Sequence, residues 1–195
     1  MGGDRRKDTY WVLRRDQLAC LASPIRTDIV DHLAGRPPMP IRDLATRIGK
    51  QPSAIYHHLR QLIDVGLVVE TGTQVVNRKS EKLYSTPAPR IRLKKALADR
   101  GNADIMSEIA GAMLRQSARD FAAGVTADGA KSDGAYRNLG MFRLINRPSK
   151  RSLKRVNALL EEIGEILWEE DEAGEPLVAL TWVMTPIGTD GSQED

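Results

Sequence analysis

The stretch from Ile41 to Leu67 constrains the fold most, because it predicts two short helices joined by a tight turn. Apolar residues recur at helical spacing in its first part, and Gly49 follows them as a residue that readily takes the positive φ of a helix C-terminus. Pro52 suits the first turn of a second helix, where its missing N–H costs no hydrogen bond. That helix ends at Gly66. An ordinary helical hairpin would show the same pattern, so any function must be judged from the surface of the second helix.

The second helix has one apolar side and one polar, basic side. The side predicted to be buried carries Ile55, Leu59, Leu62 and Ile63. The opposite side carries short, polar and basic groups, namely Ser53, Ala54, Tyr56, His57, Arg60 and Gln61. Such side chains can reach base edges in the major groove of DNA, and an arginine matches the edge of guanine best. A phosphate contact or pairing with Asp64 is the alternative role for Arg60.

Two further groups of residues are predicted to contact phosphate. Lys50 and Gln51 lie at the start of the second helix, where free N–H groups and the helix dipole attract anions. Two β-prone runs follow at 67–72 and 82–86, with a polar tip, Asn77-Arg78-Lys79-Ser80, between them. A hairpin in this position is a wing. Its Arg78 and Lys79 are expected to bind the DNA backbone and to carry no sequence information.

The order of these elements resembles the winged helix-turn-helix of ArsR-type bacterial transcriptional regulators over residues 10–90. The matching residues are Pro24-Ile25-Arg26, Ile29, Leu33, Asp43-Leu44-Ala45, Ile48-Gly49, Ser53-Ala54-Ile55-Tyr56-His57-His58-Leu59, Leu62, Gly66-Leu67-Val68 and Tyr84. The resemblance implies a homodimeric repressor that binds double-stranded DNA. It also implies that the helix Pro52–Asp64 reads the major groove of a pseudo-palindromic operator.

The charge distribution agrees with a DNA-binding N-terminal half. Residues 1–100 hold 19 Lys and Arg against 10 Asp and Glu, a net charge of +9, and the other 95 residues hold 10 against 16, a net charge of −6. The basic half coincides with the predicted winged domain, as a nucleic-acid footprint should. Two ordinary solvated surfaces are the alternative explanation.

The predicted fold class is α+β and mainly α. The winged helix-turn-helix over 10–90 is followed by a long dimerisation-type helix over 91–125 and a small strand–helix–strand unit over 135–187, with flexible tails at 1–9 and 188–195. The strands of the C-terminal unit are expected at 138–146 and 177–184. Apolar residues of the long helix cover more than one narrow stripe, so this helix needs two surfaces to bury, its own domain and a partner helix in a dimer.

Two basic segments allow more than one interpretation. Tyr10 and Trp11 interrupt a run of basic residues, which predicts either an arm on phosphate or a segment packed on a partner subunit. The run after the wing is basic as well, and it either flanks the DNA or is solvated. It consists of Arg90, Arg92, Lys94 and Lys95.

The sequence gives little support to enzymatic or metal chemistry. Cys20 is the single cysteine, and all three histidines lie in the first half of the chain. The glutamates after residue 160 fit the polar face of an amphipathic helix. We therefore expect no enzyme activity, no metal site and no cofactor. The charged start of the chain and the lack of a long apolar run predict a cytoplasmic protein without a membrane contact.

Two functional questions stay open at this point. A small organic effector between the long helix and the C-terminal unit would be lined by Met106, Met113, Phe142, Trp168 and Trp182, although apolar residues at such spacings more often form plain core. The alternative to a DNA-binding regulator is a protein-interaction module, in which the winged domain binds a partner protein.

Overall fold

The winged domain begins with helices whose ends follow from proline and glycine. In the computed structural model, which describes residues 8–169 and 175–188, α1 spans Arg15–Leu21 and α2 spans Pro24–Leu33. They are followed by α3 (Ile41–Ile48) and α4 (Pro52–Asp64). Gly49 ends α3 with a φ of 68°. After α4, the N–H of Leu67 donates to the carbonyl of Leu62 at 2.9 Å around the positive-φ Gly66, a common helix ending.

The wing is an antiparallel hairpin with a third short strand at its edge. Strands β3 (Val69–Val76) and β4 (Lys79–Ser85) pair with each other, and β2 (Met39–Pro40) pairs with the other side of β4. The core beneath these elements is formed by fully buried side chains, chiefly Leu18, Ile29, Leu33, Leu44, Ile55, Leu59, Leu62 and Leu67. The predicted fold class, α+β and mainly α, is confirmed.

The segment before α1 pairs with the segment after the wing. Strand β1 (Thr9–Trp11) lies parallel to β5 (Arg90–Arg92), and the N–H of Val12 donates to the carbonyl of Arg92 at 3.0 Å. The hydroxyl of Tyr10 accepts a hydrogen bond from the buried Gln17 at 2.8 Å. The segment thus has a structural role inside the chain, and the two predicted roles, a phosphate arm or a subunit contact, stay predictions. Residues 1–7 and 189–195 of the predicted tails lie outside the described residues.

The predicted helix over 91–125 is shorter than expected. Strand β5, the short helix α5 (Lys94–Leu97) and a 3₁₀ turn (Arg100–Asn102) take up its first part, and α6 spans Ala103–Gly124. The carboxylate of Asp99 accepts a hydrogen bond from the N–H of Gly101 at 2.9 Å, which stabilises the turn before α6. Apolar spacing alone did not reveal this break, because side chains on both sides of it face the same core.

The C-terminal part has its predicted helix, α7 (Lys150–Glu169), without the predicted strands on either side. Residues 138–146 and 177–184 have no regular secondary structure and pair with no strand in the described chain, and Phe142 is 89% exposed. Strand preference largely reflects how well a side chain fits a half-buried sheet surface, so it does not create a strand without a neighbour. The grouping of 135–187 into one unit stays a prediction.

Helix α7 lies against β5 through opposite charges. Arg90 contacts Glu165 at 2.5 Å, Arg92 lies 3.5 Å from Glu165 and 3.8 Å from Glu161, and Lys94 lies 3.3 Å from Glu161. Lys95 covers the Trp11 ring at 4.4 Å. The cations of the basic run after the wing thus have partners within the chain, and whether the run also flanks DNA stays a prediction.

Trp168 fixes the far end of α7. The guanidinium of Arg90 lies 5.1 Å from the centre of the Trp168 ring, and the Cζ2 and Cη2 atoms of the same indole approach Gly35, just after α2. A Cβ added at Gly35 would lie 2.6 Å from the ring, and the φ of +73° also disfavours any other residue. Gly35 therefore permits the approach of α7. Within the described residues, no helix is long and apolar enough to cross a bilayer.

Asp28 on α2 is a half-buried acid near the end of α6. Burial, and next the carboxylate of Asp120, raise the pKa of Asp28 from 3.8 to about 6. His32 lies 3.6 Å away, but burial lowers its pKa, so at neutral pH it carries no charge to compensate that of Asp28. Because the folded state binds the carboxyl proton of Asp28 more tightly than the unfolded chain does, Asp28 lowers the free energy of unfolding as the pH rises from about 4 to 6.

We predict that Asp28→Asn raises the free energy of unfolding at pH 7 by about 2 kcal/mol and has little effect near pH 4. Urea unfolding of both proteins at several pH values measures this difference. Asp133→Asn, a change on an exposed loop, is the matched control. Equal effects of Asp28→Asn at pH 4 and pH 7 would contradict the assignment.

Candidate nucleic-acid interface

The buried side of α4 determines which of its residues face solvent. Ile55, Leu59 and Leu62 are each at most 1% exposed, and they hold the helix in the core. The opposite side is open, and Tyr56 is 59% exposed there. The other exposed residues of the predicted set on this side are Ser53, Ala54, His57 and Arg60. The structure thus brings five of the six predicted base-contact residues to one surface of α4.

Arg60 lies in a groove between α4 and the wing. The same groove is lined by Tyr56, Asp64, Glu70 and Lys82. Glu70, the wing carboxylate that lines this groove, pairs with Lys82 at 2.8 Å across the wing strands. Among the described residues, Arg60 forms neither a hydrogen bond nor an ion pair, so its alternative role as a partner of Asp64 is not seen. Its guanidinium is available to a ligand.

Gln61 differs from its five neighbours on α4. It is half-buried, and its side-chain oxygen accepts a hydrogen bond from Arg26 of α2 at 3.1 Å. Arg26 also donates to main-chain carbonyls of α1, so it joins three helices. This contact holds the amide oxygen on the protein side, and base contact is therefore less well supported for Gln61 than for the rest of the set. The sequence contained no signal for this pairing, since 35 residues separate its partners.

The start of α4 is open to an anion. Gln51 is the N-cap residue, and no side chain caps the first N–H groups of the helix. Lys50 and Gln51 are both exposed, as a contact with phosphate requires. Free N–H groups at a helix N-terminus favour negative charge. The predicted phosphate contact at this point therefore has the geometry that it needs.

The tip of the wing is a two-residue turn. Asn77 and Arg78 have φ values of 51° and 64°, and Val76 pairs with Lys79 across the turn. Positive φ at both positions defines a type I′ turn, whose twist matches that of the paired strands. Lys79 and Ser80, which the sequence placed in the tip, belong to β4 instead. Arg78 and Lys79 are both exposed at the end of the hairpin.

An ion pair that the sequence did not reveal connects the wing to α3. Arg42 contacts Asp43 at 3.1 Å and Glu81 of β4 at 3.2 Å, and Glu81 also accepts from Gln74 of β3 at 3.3 Å. These contacts link the wing hairpin to the first helix of the helix-turn-helix.

The residues proposed to line an effector site do not come together. Met106 and Met113 pack against the main core, and Trp168 contacts Gly35 and Arg90. Phe142 and Trp182 are largely exposed. The segment before Trp182 does reach α6, since the hydroxyl of Ser117 donates to that of Thr181 at 2.6 Å. None of these contacts joins the five residues into one lining, and the effector site stays a prediction.

The described part of the chain contains no group of three or more His, Cys, Asp or Glu side chains arranged for a metal ion. Cys20 is buried, and burial raises the pKa of its thiol. At neutral pH this residue is a protonated thiol rather than the thiolate that reacts with oxidants and metals.

Comparison with known proteins finds similarity over the helix-turn-helix region that contains α4. A helix-turn-helix domain model matches residues 21–71. Over 52 residues the chain is 46% identical to the HTH-type transcriptional regulator NmtR of Mycobacterium tuberculosis. These residues make up 27% of this chain and 42% of that protein. The match thus spans less than half of the relative's length. The crystal structure of RV1404 from Mycobacterium tuberculosis matches 83% of this chain and 77% of its own chain at 16% sequence identity. The TM-score of this match is 0.25, which is too low to support a conclusion about the fold.

The match lies on the elements whose geometry is described above. Residues 21–71 include α2, α3 and α4 and the first part of the wing, and the ArsR-type resemblance predicted from the sequence is confirmed over this region. The chain therefore contains a winged helix-turn-helix domain that resembles those of ArsR-type DNA-binding regulators.

Proposed function

We propose that this protein is a dimeric transcriptional repressor that reads a pseudo-palindromic operator with α4. The observation that carries the proposal is the exposed polar side of α4, with an unpaired Arg60 near its centre and an uncapped N-terminus. A helix with these properties can enter the major groove while its N–H groups contact phosphate. The similarity to a transcriptional regulator over the same residues supports this role.

In this proposal the contacts divide into two kinds. Ser53, Ala54, Tyr56, His57 and Arg60 lie in the groove and meet base edges. Lys50, Gln51, Arg78 and Lys79 bind phosphate and fix the register of the protein on the duplex. Two copies related by a twofold axis would place their α4 helices about 34 Å apart, one turn of DNA. The long helix α6 is the proposed dimerisation element, since it buries Ile105 and Ile109 in its own domain and leaves Leu114 exposed.

Arg60→Ala is expected to weaken binding to the operator by about 1–3 kcal/mol and to relax specificity at one base position in each half-site, because a bidentate contact with guanine is lost. Selection of binding sites from genomic fragments with both proteins, followed by sequencing, measures the change. Arg137→Ala removes the same charge from an exposed loop and serves as the control. A uniform loss of affinity across all sequences would instead assign Arg60 to phosphate.

Arg78→Gly is expected to weaken binding to all sequences equally and to lower the slope of log affinity against log salt by about one. Glycine keeps the turn intact because it accepts the φ of 64° without strain, so the thermal midpoint should not fall. Fluorescence anisotropy with operator and random duplexes at several salt concentrations tests this. Arg78→Lys is the matched variant that keeps the charge, and a loss that depends on sequence would contradict the wing assignment.

The proposal as a whole is tested by the symmetry of the selected site. A twofold-symmetric sequence recovered at about physiological salt, where charge effects are short-ranged, is the expected result. Recovery of no enriched sequence, together with no binding to any duplex at low salt, would overturn the proposal in favour of a winged domain that binds a protein partner.

A further inference from the structure

Residues 143–155 form a strongly basic segment in the half of the chain whose net charge is negative. These thirteen residues carry six cations and no acid, and the longer stretch 134–160 also lacks Asp and Glu. The six cations are Arg143, Arg147, Lys150, Arg151, Lys154 and Arg155. The net charge of −6 over residues 101–195 therefore conceals a segment of the opposite sign, called the cationic segment below.

The side chains of the cationic segment are exposed and have no internal counter-charge. All six cations are exposed to solvent, and in the described part of the chain none of them forms an ion pair. The cations of β5 differ, because they pair with Glu161 and Glu165 of α7. Like charges that lie close together repel one another, and an anionic partner removes that repulsion. The cationic segment is therefore a surface for a polyanion.

The arrangement of the cations suits a row of phosphates. The four cations from Lys150 to Arg155 lie on the first turns of α7, and at 100° per residue they cover about 140° of the helix circumference, which is one side. Arg143 and Arg147 precede them in a part without regular secondary structure, where the backbone can follow a neighbouring strand of DNA. Arginine binds phosphate oxygens with two parallel hydrogen bonds, and lysine binds them as a point charge.

The cationic segment begins near the part of the winged domain that is proposed to contact phosphate. Burial has the largest effect on the pKa of Asp28, and the charges of Asp120 on α6 and of Lys50 also act on it. The last turns of α6 and the start of α4 therefore lie close to the same residue. The chain then turns back beside the end of α6, where a Cβ added at Gly124 would lie 3.6 Å from Leu139. The cationic segment starts four residues later, at most about 14 Å away.

We propose that the cationic segment is a second DNA-binding surface, which binds the phosphate backbone outside the part of the duplex that α4 reads. The inference rests on the proposed function, because a duplex held by α4 raises the local concentration of phosphate at the segment. Contacts with phosphate add affinity and salt dependence but carry no sequence information. The protein thus covers more of the duplex than its winged domain alone.

An anionic membrane is the other polyanion that a basic segment can meet. A helix that lies on a membrane brings its whole length to the surface. The second half of α7 carries Glu161, Glu162 and Glu165, which anionic lipids would repel. A duplex can contact the first turns of α7 and the residues before them without approaching these glutamates. The change of sign along α7 therefore favours DNA over a membrane.

The salt dependence of binding tests the contact. In the full chain, Arg143→Gln with Arg147→Gln is expected to raise the Kd for a long random-sequence duplex at least about ten-fold at about 0.1 M salt, and to lower the slope of log affinity against log salt by about two. Fluorescence anisotropy at several salt concentrations measures both. Arg100→Gln with Arg137→Gln removes two exposed cations outside the segment and is the matched control. Equal changes in slope for the two double variants would overturn the inference.

The length of the duplex tests where the contact lies. One duplex contains only the operator recovered by site selection, and a second extends it by one helical turn at each end. The unmodified protein and the control variant are expected to bind the longer duplex about ten-fold more tightly. The variant with Arg143→Gln and Arg147→Gln should bind both duplexes with similar affinity. If that variant kept the full preference for the longer duplex, the inference would be wrong. Circular dichroism checks that both double variants keep their helix content.

Failure of this inference and failure of the proposed function give different results. An enriched operator, together with an unchanged salt slope in the variant with Arg143→Gln and Arg147→Gln, would overturn the inference alone. A lower slope on random-sequence duplex without any enriched operator would support the inference and contradict operator reading by α4. Vesicles of phosphatidylglycerol test the membrane. Loss of vesicle binding in that variant with an unchanged DNA slope would assign the segment to lipid and overturn the inference.

Discussion

The arrangement of the winged domain depends on the burial of one side of α4. Ile55, Leu59 and Leu62 lie in the core with almost no exposure, and full burial of such a side chain contributes about 1.5–3 kcal/mol. Once these side chains are fixed, the rotation of the helix is fixed, and Tyr56, His57 and Arg60 must face outward. The contact between Arg26 and Gln61 adds a polar restraint on the same rotation. A polar surface for DNA is therefore a consequence of how the core is packed.

The elements that sequence reasoning found are those whose signals are local. The 3.6-residue period of α3 and α4, the glycines at 49 and 66 and the prolines at 24 and 52 lie within or beside the helices that they define. The two-residue turn at 77–78 is harder to predict from the sequence, because asparagine is common at positive φ and arginine is not. The exposure of five of the six residues proposed to contact bases followed from the period, whereas the different position of Gln61 did not.

The features that sequence reasoning missed depend on partners distant in the chain. Strand β1 pairs with β5 about 80 residues later, and the cations of β5 pair with glutamates some 70 residues further on. A run of basic residues looks the same in sequence whether its partner is phosphate or a carboxylate in the same protein. The two C-terminal strands were over-predicted for the converse reason, because residues suited to a strand form one only beside another strand.

Trp168 of α7 can approach α2 because residue 35 is a glycine and has no side chain. Gly35 directly follows α2, and α2 holds Gln61 of α4 through Arg26. A methyl group at residue 35 would lie 2.6 Å from the indole ring of Trp168, so the ring could not keep its present position. Any larger residue at position 35 would meet the Trp168 ring in the same way. The absence of a side chain at this position therefore determines how closely Trp168, and the helix that carries it, can pack beside α2.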